Sequence, residues 1–385
     1  MTKTPTKAPM ILIVDDVPKN IQVLAGFLKQ EHYQIAFAQN GKNALELVHK
    51  ISIDLILLDV MMPEMDGFEV CARLKKSPVT RDIPIIFLTG KVEPESIVEG
   101  FRAGAVDYVS KPFNREELMA RVRTHLALKQ ALVEVQKLYK QSEEELNVAS
   151  IIQRAVMRET VAVPFLSSAM VFHPLGKVSG DMVDFCLKDN QFCFFIGDVT
   201  GHGVPASLIT MMIPGILDGQ NEQDSAKNVV EKINRTLSHR DLEGRFITGI
   251  YATITPEGQL TVCNAGHPAL IIVPADGSPL VQLSTGGMPM GIFAEESLSS
   301  YEEKNIQLHP NDRFIVYTDG ITEWENAEGK PYGRNRLLSF LEKNRTSSLS
   351  TLLTDLMEHL ESFSERTPCN DDYTIVGFEY LGNER

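Results

Sequence analysis

Between Met10 and Val109 the chain alternates short apolar runs with stretches of helical period. Met10-Ile-Leu-Ile-Val14, Gln34 to Ala38, Asp54-Leu-Ile-Leu-Leu58, Ile83 to Leu88 and Asp107 to Val109 are predicted strands; Asn20 to Gln30 and a segment from Gly41 are predicted helices. Leu55 to Leu58 show no polar alternation, as expected of a strand covered on both faces. This order predicts an α/β unit with a parallel, doubly wound sheet, whose ligands collect at the strands' carboxyl ends. From Arg121 to Met157 there is neither Pro nor Gly. Leu128, Leu132, Val135, Tyr139, Ser142, Leu146, Ala149, Gln153 and Val156 step by fours and threes, the 3.5-residue period of a coiled-coil seam, with Lys129, Glu134, Lys137, Lys140, Glu143 and Glu144 outside it. A dimerising helix and a solvated spacer both fit, and Ser142 and Gln153 weaken the seam. After Pro164 the pattern changes again. Predicted strands are Gln191 to Asp198, Gly249 to Thr255, Leu260 to Asn264, Leu270 to Val273, Arg313 to Thr318 and Tyr373 to Glu379. Predicted helices are Val204 to Gly219, Ala226 to Leu237, Arg334 to Asn344 and Leu349 to Phe363. Strands grouped among helix pairs predict two packed sheets flanked by helices.

These shifts divide the 385 residues into an expected disordered tail (1–9), a first domain (10–123), a helical coiled-coil linker (124–158) and an output domain (159–385). A net charge of −14 argues against nonspecific binding to nucleic acid or anionic lipid. Cys71, Cys186, Cys193, Cys263 and Cys369 form no Cys-x-x-Cys pair and read as idle thiols of a reducing cytosol. No run of 18 apolar residues suggests a membrane span, and no apolar leader follows Met1, so the expected address is the cytoplasm.

In the first domain the polar residues fall at the predicted strand ends. Asp15 and Asp16 follow the first strand, Asp59 the third, Thr89 the fourth and Ser110-Lys111-Pro112 the fifth. Converging carboxylates call for a cation such as Mg²⁺, and Lys111 and Thr89 offer a cation and a hydroxyl to an anion near Asp59. With Val14-Asp15-Asp16, Leu58-Asp59-Val60-Met61-Met62-Pro63-Glu64-Met65-Asp66-Gly67, Leu88-Thr89-Gly90 and Lys111-Pro112-Phe113, the domain closely resembles the receiver domain of two-component response regulators. The resemblance implies a flavodoxin-like (βα)5 fold and phosphorylation of Asp59 by a histidine kinase or phosphotransfer protein. It further implies Mg²⁺ held by Asp15, Asp16, Asp59 and the Met61 carbonyl, phosphoryl contacts from Thr89 and Lys111, and a switching aromatic at Tyr108. Gly90 stands where that family often has Ala.

The output domain's chemistry lies in acidic punctuation. Asp181 sits in Ser179-Gly-Asp-Met-Val-Asp-Phe185, Asp198 in Gly197-Asp-Val-Thr-Gly-His-Gly203, Asp319 in Tyr317-Thr-Asp-Gly320 and Asp371 in Asn370-Asp-Asp-Tyr-Thr374. An all-oxygen set suits Mg²⁺ or Mn²⁺ rather than zinc. Two such ions bridged by a shared carboxylate can activate water against a phosphomonoester, and no Gly-x-Ser-x-Gly nucleophile motif competes. With Val204-Pro-Ala-Ser-Leu208, Asn264-Ala-Gly-His-Pro268, Gly287-Met-Pro-Met-Gly291 and Gly320-Ile-Thr-Glu323, the domain resembles the SpoIIE-like branch of the metal-dependent, PPM-type Ser/Thr protein phosphatases. The resemblance implies an α/β/β/α sandwich and two Mn²⁺ or Mg²⁺ ions. Asp198 would bridge them with the Val199 carbonyl, and Asp181, Asp319 and Asp371 would complete the site. Asp184 and Asp372 are further candidates for a looser metal or an outer shell. Lys177 (phosphate contact or surface residue), His202 (proton donor or loop former) and His267 (turn residue) stay open. Leu146 to Met157 resembles the Ala-x-x-Ile-Gln helix that precedes this phosphatase domain in regulated members. The implied substrate is a phosphorylated STAS-domain anti-sigma-factor antagonist, and the implied assembly a homodimer through residues 124–158. A catalytically silent adaptor is the alternative.

Overall fold

The computed structural model describes residues 8–90, 94–158, 161–219, 224–294 and 300–382. The expected tail, residues 1–9, lies outside them except for its last two positions. The chain divides into two compact units, Met1–Gln141 and Ser142–Arg385.

In the first unit the elements are β1 (Met10–Val14), α1 (Pro18–Gln30), β2 (Gln34–Ala38), α2 (Gly41–Lys50), β3 (Leu55–Asp59), α3 (Gly67–Lys76), β4 (Ile85–Thr89), α4 (Pro94–Arg102), β5 (Asp107–Ser110) and α5 (Arg115–Val156). The five strands pair in parallel in the order β2-β1-β3-β4-β5. Alternate residues of β1 and β3 feed two cores. Leu12, Val14, Ile56 and Leu58 pack with α2 and α3, while Ile11, Ile13, Leu55 and Leu57 pack with α1 and the start of α5. Local chemistry sets the helix starts. Pro18 opens α1, and the Asn40 and Asp66 side chains accept the Asn43 and Glu69 amides to cap α2 and α3.

The second unit continues with β6 (Leu166–His173), β7 (Asp181–Lys188), β8 (Gln191–Val199), α6 (Val204–Thr210), α7 (Ile213–Asp218), α8 (Ala226–Ser238), β9 (Ile247–Ile254), β10 (Gln259–Ala265), β11 (Leu270–Val273), β12 (Val281–Leu283) and β13 (Glu303–Gln307). It closes with β14 (Arg313–Tyr317), α9 (Gly320–Glu323), α10 (Arg334–Lys343), α11 (Leu349–Phe363) and β15 (Tyr373–Tyr380). Two antiparallel sheets, β13-β10-β9-β8-β7 and β12-β11-β14-β15-β6, face each other. Their interface is aromatic: Phe378 stacks on Phe314 at 4.7 Å and on Phe194 at 5.0 Å, with Phe185 and Phe192 alongside. Burying each ring contributes roughly 1.5–3 kcal/mol. Helices α6 to α8 cover the outer face of the first sheet, and α10 and α11 that of the second. This is the expected α/β/β/α sandwich. The predicted helix from Val204 to Gly219 is two short helices, interrupted at Met211-Met212 with Pro214 at the start of the second.

Helix α5 carries residues of both units. Leu118, Met119, Val122 and Leu126 belong to the first unit's core, and the Lys129 ammonium donates to the carbonyls of Ile53 and Asp54. The seam positions Leu128, Leu132, Val135 and Tyr139 are all more than half exposed. The next ones behave differently. In the second unit Leu146, Ala149 and Val156 are half-buried, and Gln153 is 4% exposed. One stripe in the sequence therefore has two environments.

Candidate functional site

The receiver-like site lies where the sheet's carboxyl ends meet. Carboxylate oxygens of Asp15, Asp16 and Asp59 come within 4.8 Å of one another, a hard-oxygen cluster of the type that binds Mg²⁺. The Lys111 ammonium stands 2.8 Å from Asp59 and 2.9 Å from Asp15. Asn20 donates to both Asp15 oxygens at 3.0 Å, fixing that carboxylate. Burial pushes Asp59 above the usual carboxyl range, with Lys111 opposing it. Burial also works against the Lys111 ammonium, but its bonds to Asp59 and Asp15 prevail and hold it charged. Gly67 is required here, because a Cβ would sit 2.3 Å from the Asp59 carbonyl oxygen. Thr89 and Tyr108 line one cavity of about 150 Å³ with Met61, Phe87, Gly90 and Phe101. Tyr108 is half-buried, edge-on to Phe101 at 6.5 Å and under the Arg121 guanidinium at 5.6 Å.

In the second unit the antiparallel register sets Asp181, first residue of β7, directly opposite Asp198 of β8. Asp181 faces the other sheet, where its Oδ2 accepts the hydroxyls of Thr318 (2.8 Å) and Thr374 (2.6 Å). Thr318 leads into Asp319, which starts α9, and Asp371 directly precedes Asp372 and β15. The two loops touch, since a Cβ on Gly320 would lie 2.1 Å from the Asp372 carbonyl oxygen. Asp372 itself accepts the amides of Leu175 and Gly180, both at 2.6 Å, and so holds the turn that delivers Asp181. Close packing at Gly180, 3.1 Å from the Val199 carbonyl oxygen at a notional Cβ, brings that carbonyl to the same corner.

Two strand residues, Asp181 and Asp198, and two loop residues, Asp319 and Asp371, thus act on one another electrostatically at this corner without being drawn to ligand distance as the receiver triad is, and among the described residues no Lys or Arg pairs with any of them. Burial first, then the charges of Asp372 and Asp319, push Asp181 up to about 8 against the two threonine hydroxyls. Burial and the charges of Asp181, Asp319, Asp371 and Asp372 push Asp198 up to about 9. Asp319 and Asp371 are raised too, chiefly by burial. Mutual repulsion among hard oxygen donors is the situation that divalent Mg²⁺ or Mn²⁺ relieves, so the residues fit such ions. A pH effect follows. Carboxyls raised in the folded state lend stability below the unfolded value near about 4 and lose it as pH rises through the folded values. The metal-free protein is expected to melt lower at pH 8.5 than at pH 6, with added Mn²⁺ closing the gap; calorimetry with and without chelator checks this.

Residues 188–380, half of the chain, match the family model for Stage II sporulation protein E (SpoIIE), and residues 11–123 match the response regulator receiver domain. The chain belongs to the SpoIIE family. The SpoIIE domain shares its fold with the SiaA-PP2C domain of Pseudomonas aeruginosa, which has 20% identity and a TM-score of 0.56 over 63% of this chain and 98% of that one. A second fold match is the RsbU and RsbW domains of Rv1364c from Mycobacterium tuberculosis, at 22% identity and a TM-score of 0.50 over 57% of this chain and 61% of that one. Among curated relatives, a probable cyclic di-GMP phosphodiesterase of Vibrio cholerae is 43% identical over 162 residues, 42% of this chain and 34% of that protein. Response regulator PleD of Caulobacter vibrioides is 39% identical over 127 residues, 33% of this chain and 28% of that protein. The chain therefore spans about a third of the length of these two relatives. Among the described residues no helix is long and apolar enough to cross a membrane.

Other candidate residues of the SpoIIE domain take different places. Asp184 points to the helix-covered face and is bound by the Arg158 guanidinium, not by the acidic cluster. Asp372 is committed to the backbone amides of Leu175 and Gly180. Lys177 pairs with Glu143 at 3.5 Å on the surface. His202 is exposed on the loop after β8. His267 is more than a turn residue: the turn is held by the Asn264 side chain, while the buried imidazole meets the Thr248 hydroxyl at 2.9 Å, beside Asp198 in the ladder. Burial lowers His267 to about 3, so its ring is neutral. Thr318 and Thr374 were hidden inside the acidic motifs; their only signal is a hydroxyl flanking each metal-type Asp loop.

Gln153 does not lie in an exposed seam. Its amide donates to the Ser179 carbonyl (2.7 Å) and the Thr210 hydroxyl (2.9 Å), and its oxygen accepts the Ser179 amide (3.1 Å). The last turns of α5 are thereby fastened two residues from Asp181. Gln153→Leu leaves the buried Ser179 amide and carbonyl unpaired, at a cost of about 1–3 kcal/mol. It is expected to loosen the 179–181 turn and weaken Mn²⁺ binding by roughly tenfold or more, measured by metal titration of turnover or of melting temperature.

Proposed function

We propose that the protein is a response regulator whose receiver, phosphorylated on Asp59 by a histidine kinase or phosphotransfer protein, controls a metal-dependent phosphoserine/phosphothreonine protein phosphatase. The domain limits are taken as 10–123, 124–158 and 159–385. The observation that carries this reading is the shared electrostatic field of Asp181, Asp198, Asp319 and Asp371 without a protein cation, in a chain that also brings Asp15, Asp16 and Asp59 together. When bound there, two Mn²⁺ or Mg²⁺ ions supply Lewis-acid stabilisation and an acidified water for hydrolysis of a phosphomonoester. Asp181, Asp198, Asp319, Asp371 and the Val199 carbonyl would hold them. Thr318 and Thr374 orient Asp181, and Asp372 and Gln153 brace the turn before it. In the receiver, Asp15, Asp16, Asp59 and the Met61 carbonyl would hold Mg²⁺. Lys111 and Thr89 would meet the phosphoryl oxygens, and Tyr108 would move toward Thr89 in the cavity they share.

The exposed apolar positions Leu128, Leu132, Val135 and Tyr139 support a homodimer through this part of 124–158. The docked end of α5 supports a role for the helix in transmitting the receiver's state to the Asp181 turn. A phosphorylated STAS-type anti-sigma-factor antagonist is the proposed substrate, in keeping with the RsbU and RsbW domains in one fold relative, and the cytoplasm the proposed address. Incubation of such a phosphoprotein with the full chain and Mn²⁺ should release phosphate. Stoichiometric binding without release would instead support the adaptor.

A further inference from the structure

The β7–β8 hairpin holds a second chemical feature, away from the carboxylates. Cys186 and Cys193 are directly opposed in its register, five residues along each strand from Asp181 and Asp198. The hairpin ends in Asp189 and Asn190 with φ of 44° and 65°, the paired left-handed residues of a tight two-residue turn that fixes this register. The Val199 amide bonds to the Gly180 carbonyl. Counting by twos from that rung makes Cys186 and Cys193 a hydrogen-bonded pair, whose Cα atoms stand about 5.5 Å apart. That spacing lies inside the range of disulfides. Both side chains share the helix-covered face, Cys193 buried and Cys186 half-buried, and both thiols are free, the Cys193 thiol reaching the Gln191 carbonyl at 3.8 Å.

We propose that Cys186 and Cys193 are a redox modification site that closes reversibly to a cross-strand disulfide under attack by a hydroperoxide. One thiolate takes the terminal oxygen of the hydroperoxide, cleaving the O–O bond, releasing an alcohol or water and leaving a sulfenic acid. The facing sulfur then displaces that hydroxyl as water and the S–S bond forms. The two sulfurs give up two electrons, and the two thiol protons leave in the alcohol and the water. The electrostatics assist: the facing Cys186, with the Tyr251 hydroxyl and the Lys188 charge, holds the Cys193 thiol below its ordinary range against burial, while Cys186 is raised. A hydrogen-bonded rung keeps Cβ atoms wider than an unstrained disulfide prefers, so thiols reduce the bond readily. Its closure staples the two strands that carry Asp181 and Asp198, beside the Arg158–Asp184 ion pair at the end of α5. Among the five cysteines no other pair is opposed in a strand register, and Cys71, Cys263 and Cys369 lie in other elements.

The test is peptide mapping of the full-length protein after hydrogen peroxide treatment and alkylation. The expected result is loss of two thiols and a single linked peptide, Cys186 to Cys193, restored to free thiols by dithiothreitol and absent in both Cys186→Ser and Cys193→Ser. Three results overturn the proposal: all five thiols staying free, oxidation halting at unlinked sulfinic acid on either residue, or linkage to Cys71, Cys263 or Cys369. The mapping of the unsubstituted chain decides it even if a serine variant fails to fold, and phosphatase activity does not enter.

Discussion

Asp198→Asn is expected to lower Mn²⁺-dependent hydrolysis of a phosphoserine peptide or para-nitrophenyl phosphate by at least about a hundredfold. The reason is electrostatic. Asp198 feels the charges of Asp181, Asp319, Asp371 and Asp372 together. Replacing its charge with an amide relieves repulsion, so the metal-free fold is expected to melt no lower than the parent protein. The same change removes the carboxylate proposed to be shared by two ions. Loss of turnover with retained melting temperature is the expected combination, read from steady-state kinetics and calorimetry on one preparation. Undiminished turnover sinks the two-metal assignment.

Asp59→Asn is expected to abolish labelling by acetyl phosphate. An amide oxygen does not attack phosphorus as the carboxylate does, and Asp15 does not replace it, being fully buried, fixed by Asn20 and bound to Lys111. The isosteric change leaves Lys111 with Asp15, so the fold is retained. Mass spectrometry after acetyl phosphate treatment reads the outcome directly, and a persisting adduct of equal yield reassigns the phosphoacceptor.

The fold was largely legible because buried strands announce themselves. β1, β2 and β11 match the predicted runs to the residue; β1 and β11 are buried apolar runs, bounded by Asp15 after β1 and by Pro274 after β11. β7 escaped for the opposite reason: Asp181 and Asp184 interrupt it, one serving the acidic cluster and the other Arg158, so function broke the apolar pattern. β13 escaped as an edge strand with mostly exposed residues and β12 as a three-residue one. The carboxylates were legible as motifs, but their division of labour was not. Asp371 and Asp372 are neighbours in sequence, and only the amides of Leu175 and Gly180, some two hundred positions away, mark Asp372 as a brace. Gln153 is the sharper case. A glutamine at a heptad position reads as a weakened seam, whereas its three hydrogen bonds lie within the second unit and depend on contacts that periodicity does not encode.

In the proposed function the receiver's chemical state sets the rate of a metal-dependent phosphatase in the same chain. The most direct measurement compares Mn²⁺-dependent phosphate release by the full-length protein with and without a phosphoryl mimic on Asp59, in parallel with Asp59→Asn. The account predicts that the mimic changes the rate of the parent protein and leaves Asp59→Asn unchanged. Equal rates in the parent protein, with and without the mimic bound, would contradict it.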